Sequence, residues 1–364
     1  MAVVVLAALA LSVSGCAGGA RPRGWTGLTV VDERVYASDL EQLQVLDTAD
    51  GRSLWTFPKD PREEQRGTFH ITPAVDEEHV IVASYIPSAG LLSQPRHVVW
   101  ALDRETGNTL WTFEGASGQY VEGGALSGGL FIIGNGDGNV YALDVERGNL
   151  KWTFETGHRV WATPLIVSET VYIGSMDRHL YALDLSSGEV QWSFQTKGAF
   201  ASEPVLRNGT LYIGAFDNSL YAVDAQTGTE QWRFAGENWF WGSPAVYDDA
   251  VYAADVKGNI YALDADTGET LWHQSLDTAV RAGIVTAEDG SKLFVGGEDG
   301  TLYALDPSDG FTLWMAEAEG QVLSPPVVSG SEIYEALLYG SQRIRALHVD
   351  NGREVWAYPP TSEE

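Results

Sequence analysis

Eight copies of one phrase run through this chain: an apolar strand ending in Ala-Leu-Asp or a close variant, a turn containing Gly, and a Trp four residues after that Gly. The clearest are Tyr181-Ala182-Leu183-Asp184 with Gly188 and Trp192, and Tyr221-Ala222-Val223-Asp224 with Gly228 and Trp232. The Trp members are Trp55, Trp111, Trp152, Trp192, Trp232, Trp272, Trp314 and Trp356, and four of the seven intervals are 40 or 41 residues. A period of that length, made of short strands, reads as one propeller blade per repeat. The expected fold is therefore all-β, an eight-bladed β-propeller of four-stranded antiparallel blades.

The copy from Phe200 to Phe234 parses strand by strand. Strand A is expected over Ser202–Leu206, B over Thr210–Gly214, C over Leu220–Asp224 and D over Glu230–Phe234, with turns at Arg207-Asn208-Gly209, Asp217-Asn218-Ser219 and Thr227-Gly228. Runs rich in Val, Ile, Leu and aromatics, bounded by Asn, Asp and Gly, are the sequence form of antiparallel hairpins. Within the phrase, Asp can accept backbone N–H bonds from the turn and Gly tolerates positive φ. The Trp supplies a large apolar area with one donor for the gap between blades, and Ala two residues before the Asp leaves room for it. These residues serve the fold and are not active-site candidates.

The pattern Ala-x-Asp-x-x-(Thr)-Gly-x-x-x-Trp, with the Thr optional, resembles the tryptophan-docking motif of pyrroloquinoline quinone (PQQ)-like repeats, over about Trp25 to Trp356. That family contains PQQ-dependent dehydrogenases and BamB-type outer-membrane assembly lipoproteins, so the resemblance implies the propeller and leaves the cofactor open. The first repeat lacks Tyr-Ala before Asp47, and the last carries His348 in place of the Asp, as the end copies of an array commonly depart from the pattern. Counted from Trp25 to Trp356, each blade is contiguous in sequence, and no terminal strand has to be exchanged to close the ring. Repeat two is longer by 16 residues, with about six extra within Pro58–Arg66 and about ten in the B–C hairpin, Tyr85–His97. Both insertions are expected on one face of blade two, as a raised crest that marks a binding face or a tolerated loop.

Residues 1–15 read as a signal peptide. Ala2 to Val13 is apolar but too short to span a bilayer, it lacks a basic start, and it runs into Val13-Ser14-Gly15-Cys16, which resembles a bacterial lipobox. Cys16 is then the lipidated residue, 16–24 the lipidated Cys and tether, 25–358 the propeller and 359–364 a C-terminal tail. The expected location is extracytoplasmic, lipid-anchored to the cell membrane. Cys16 is the single cysteine, which removes intrachain disulfides, thiolate metal sites and haem attachment.

Asp plus Glu number 50 against 22 Lys plus Arg, a net charge of −28, with five Lys to 17 Arg. Such a charge repels nucleic acid. Acidic excess with Lys depletion resembles proteins of halophilic organisms; an acidic surface meeting a basic partner is the other reading.

Comparing repeats separates positions that serve the fold from those free for other uses. Four residues before the strand-A proline stand Gly24, Phe69, Tyr120, Val160, Phe200, Phe240, Val280 and Val322, a core series. The next residue in each copy is Trp25, His70, Val121, Trp161, Ala201, Trp241, Arg281 or Leu323. Strand alternation turns this second series the other way, at the D–A junctions near the channel mouth. Trp25, His70, Trp161, Trp241 and Arg281 form the candidate binding face, of the composition enriched at interfaces.

Catalytic signatures are absent. There is no His-Glu-x-x-His, no phosphate-cradling Gly-x-x-x-x-Gly-Lys and no Gly-x-Ser-x-Gly. The dehydrogenases of the family place the quinone between a Trp and a vicinal Cys pair, with Ca²⁺ and an Asp beneath it, and this chain has no Cys pair. Glu122 and Glu203 lie near the mouth, and Asn135-Gly136-Asp137-Gly138-Asn139 is the composition of a hairpin turn. His70, His97, His158 and His179 are expected in loops on one face. The sequence supports no cofactor, PQQ and calcium included. The resulting expectation is a non-catalytic, lipid-anchored scaffold of the BamB type that binds an extracytoplasmic protein or peptide, as a monomeric propeller. The alternative is a small-molecule or PQQ-binding propeller with a redox or sensor role.

Overall fold

A computed structural model describes residues 27–61, 66–88 and 93–360. The signal peptide, Cys16 and Trp25 lie outside them. The described strands form eight antiparallel sheets over residues 28–57, 68–113, 125–155, 165–195, 205–235, 245–275, 285–317 and 321–358, each ordered A to D from the channel outward. Every blade is contiguous in sequence.

Strand period sets the packing. In blade five, Leu211 and Ile213 join the cluster shared with blade four, while Tyr212 faces blade six and packs with Trp232, Val251 and Leu263. Each sheet thus buries both faces against neighbours, which a lone four-stranded sheet cannot do. A register shift between strands C and D recurs in every blade, and from blade two onward it sets the Ala of the phrase opposite the Trp, as at Ala222 and Trp232.

All eight motif Trp residues do the same job. Each Nε1–H donates to a backbone carbonyl in the next blade's C–D turn, for example Trp192 to Ala225 (3.0 Å) and Trp232 to Ala265 (2.9 Å). The indole lies against the Gly of that turn. Gly268 has φ +73°, and a Cβ there would sit 2.7 Å from the Trp232 ring. The same contact closes the ring: Trp356 donates to Thr48 O at 2.6 Å, and Leu28, Val35 and Leu46 share a core with Tyr334 and Ile344. The motif Asp side chains accept turn N–H groups, as Asp224 does from Thr227 at 2.8 Å.

In blade five, strands B, C and D span Thr210–Gly214, Ser219–Asp224 and Glu230–Ala235, but strand A is Val205–Arg207. The expected start at Ser202 is corrected because Ser202, Glu203 and Pro204 run along the channel, and Pro204 has no N–H to give to a ladder. The long hairpin of blade two is made of extended strands, His79–Ile86 and Arg96–Asp103, and the tip of the first pairs with Thr68–Phe69. Blade eight does likewise on a smaller scale: Gln321–Val322 pairs with the end of Glu332–Leu338.

Candidate functional site at the channel mouth

The core series behaves as its pattern demands: Phe69, Tyr120, Val160, Phe200, Phe240, Val280 and Val322 are all buried. In blades three to seven, the carbonyl one residue before the core position, in the D–A connection, accepts an N–H from the B–C hairpin of the same blade. Arg159 O binds Met176 N (2.9 Å), Ala199 O binds Phe216 N (3.0 Å), and Trp239 O binds Val256 N (2.9 Å). These bonds hold the two connections side by side, so their side chains share one surface around the channel.

On that surface Trp161 and Trp241 meet at 6.4 Å between ring centroids, and Phe216 packs on Trp241 at 5.0 Å and stacks on Trp239 at 5.3 Å. Arg281 lies over Trp241 at 5.4 Å and ion-pairs with Glu298, and Arg159 lies over Trp161 at 5.8 Å. Trp239 is 51% exposed, and Trp161, Trp241 and Phe216 are half-buried. An aromatic patch this open, with cations over its faces, is typical of an interface centre. Of the second series the structure joins Trp161, Trp241 and Arg281. His70 is instead 8% exposed, its Nε2 against the Thr68 hydroxyl at 2.8 Å, and burial pushes its pKa down to about 4.

Phe216 and Trp239 were not singled out in the sequence, although the repeats carried the signal. Phe216 stands where other blades have Gly136, Met176, Val256 and Glu298, and Trp239 where they have Gln119, Arg159, Ala199 and Ala279. Extending the comparison one position further and into the hairpin would have found both.

Inside the mouth is a cavity of about 280 Å³, bounded by Trp241 and Arg281 and by Glu122, Ser202 and Glu203. Glu203 and Ser243 also line a wider space of about 900 Å³ between the inner strands of blades four to eight. Among the described residues neither Glu122 nor Glu203 has a hydrogen-bond or ion-pair partner. Burial pushes Glu122 up to about 8, with a contribution from the Glu203 charge, and burial pushes Glu203 up to about 7. The Ser202 hydroxyl, on a residue only 6% exposed, is also without a partner.

These residues do not fit the quinone of the family's dehydrogenases. PQQ is a tricarboxylate, and the cavity offers it two more carboxylates and one guanidinium already held by Glu298. The Asn135–Asn139 segment is a satisfied turn: Asp137 accepts from Ser117 N, Asn139 N and Tyr141 Oη. The expectation for the His residues is corrected in part, since His97 lies within Arg96–Asp103 and His179 opens His179–Asp184, both in strands where alternation turns them. The acid and imidazole group that does converge among the described residues is Glu78, His79 and Glu146, at the A–B and C–D turns, away from the mouth.

The family described as outer membrane protein assembly factor BamB matches residues 95–202, 196–273 and 256–364. This chain belongs to that family. Its fold is similar to the crystal structure of BamB from Moraxella catarrhalis, at TM-score 0.72 and 21% identity, covering 86% of this chain and 91% of that one. It is equally similar to the computationally designed Ika8 protein, at TM-score 0.73 and 16% identity, covering 89% and 95%. No curated protein sequence matches. At these identities the two structures speak for the propeller alone.

Proposed function

We propose that this BamB-family propeller is a non-catalytic scaffold that holds an extracytoplasmic polypeptide on its channel-mouth face, tethered to the membrane through a lipid on Cys16. The observation that carries the reading is the open aromatic patch of Trp161, Phe216, Trp239 and Trp241. It stands at positions where the blades carry residues of varied size and polarity, from Gly136 and Ala201 to Met176 and Glu298, so it is not needed to build a blade. Family membership supports a binding role, since an assembly factor acts by holding other proteins. The tether is supported by the Val13-Ser14-Gly15-Cys16 sequence.

The test is cross-linking of the protein in its own cells, comparing wild type with a Trp161→Ala/Trp241→Ala variant. Specific extracytoplasmic partners should be captured by the first and lost from the second. A Cys16→Ser variant should leave the membrane fraction. Unchanged partners in the double variant would contradict the assigned face, and a membrane-bound Cys16→Ser variant would contradict the anchor.

A further inference from the structure

Glu122 and Glu203 stand out from the other deeply set acids of the propeller. Glu335, buried between blades seven and eight, ion-pairs with Arg345, whose guanidinium also donates to Glu317 O (2.9 Å) and Ala316 O (2.8 Å). Asp255, also buried, accepts from Lys257 N (2.9 Å) and from Asn259 Nδ2 (2.8 Å). Glu122 and Glu203 have no such support, yet they line one cavity together with Ser202, a buried residue whose hydroxyl is also unpartnered. Leaving carboxylates unpaired in a partly dry site is costly, and proteins keep such groups where a ligand completes them.

The chemistry of the walls selects the ligand. Two carboxylates and a hydroxyl call for a cation with several N–H donors. Leu28, Val285, Leu323 and Val327 make much of the remaining wall apolar, which suits an aliphatic stem. A bare metal ion fits less well. It needs converging ligand atoms, and among the described residues Glu122 and Glu203 belong to no group of three or more convergent acids or imidazoles. The other charged group in the wall, Arg281, is neutralised by Glu298.

We propose that this cavity receives the cationic end of a lysine or arginine side chain, presented by the polypeptide that docks on the channel-mouth face. That the cation is carried by a polypeptide rests on the scaffold reading above; the cation site itself does not. Burial keeps Glu122 and Glu203 partly protonated near neutrality, so binding of a cation releases protons at pH 7.

The test is calorimetric titration of the purified propeller with N-acetyl-lysine methylamide and N-acetyl-arginine methylamide. N-acetyl-norleucine methylamide serves as the uncharged control and CaCl2 as the metal arm. The expected result is saturable binding of a charged probe, on the order of 1 mM. It should weaken at least about tenfold in Glu122→Gln/Glu203→Gln, and its heat should differ between phosphate and Tris because protons leave. The Gln variants lose no hydrogen bond, so folding is retained as the control. Equal binding of norleucine, an unaffected double variant, or stoichiometric Ca²⁺ binding in place of the organic probes would each overturn the proposal. Lost probe binding with cross-linked partners intact would leave the scaffold standing without this pocket. Probe binding with no partner captured would do the reverse.

Discussion

The outer ring of docking tryptophans and the wall of the channel mouth are built from the same repeats and obey opposite rules. In the outer ring every blade carries the Trp and the turn Gly, and all eight indole N–H groups reach a carbonyl of the next blade. At the mouth the residues change from blade to blade, aromatics such as Trp239 lie open to solvent, and Glu122, Glu203 and Ser202 lack partners among the described residues. Uniformity marks what the fold requires, while the departures mark positions that stability alone does not explain.

Four variants would break or sharpen that contrast. The largest loss is expected in the ring. Trp232→Ala removes a buried indole that seals blades five and six, and should destabilise by about 3–5 kcal/mol in urea unfolding. A result below about 1 kcal/mol would show the motif to be decorative. Arg345→Met strips a buried acid of its cation and should cost a comparable ~3–5 kcal/mol, because Glu335 is then left alone. A near-neutral result would mean that Glu335 takes up a proton at little cost.

The mouth should respond with the opposite sign. Glu122 has a folded-state pKa of about 8 against an ordinary value near 4.5, so the folded state binds its proton more tightly than the unfolded chain. Its contribution to stability is full below pH 4.5 and falls as pH rises towards 8. Glu122→Gln should therefore stabilise by about 1–3 kcal/mol at pH 8.5, less than the full linkage value because the cavity admits water, and by almost nothing at pH 4.5. Thermal unfolding across that range checks it, and destabilisation at pH 8.5 would show that Glu122 has a structural partner. The smallest effect is expected at the exposed patch: Trp239→Ser should stay within about 0.5 kcal/mol of wild type while reducing partner capture.

Sequence made the outer ring legible because eight copies repeat one solution, and each copy checks the others. Blade number, strand order, contiguous closure and the job of the Trp, Gly and Asp all follow from that redundancy. The mouth was legible only in outline. Trp161, Trp241 and Arg281 stood out as departures, but Phe216 lies in a hairpin and Trp239 one position before the core series, and only the backbone bonds between the two connections bring them together. Glu122 and Glu203 were visible as acids near the mouth. That they are unpaired is a fact of three-dimensional neighbours, since pairing between blades depends on ring geometry that no local pattern records. The same reason hid the Glu335–Arg345 pair, whose members are ten residues apart on adjacent strands and whose other partners come from blade seven.

The most direct test of the central claim, that binding belongs to the mouth and not to the ring, is site-specific photocross-linking in the native cells. One cross-linker replaces Trp239 at the mouth, and another replaces Leu271, which is 56% exposed on the outermost strand of the same blade. Capture of an extracytoplasmic protein from position 239, absent from position 271 and competed by an excess of uncross-linked propeller, is the predicted result. Capture from 271 alone, or equally from both positions, would contradict it.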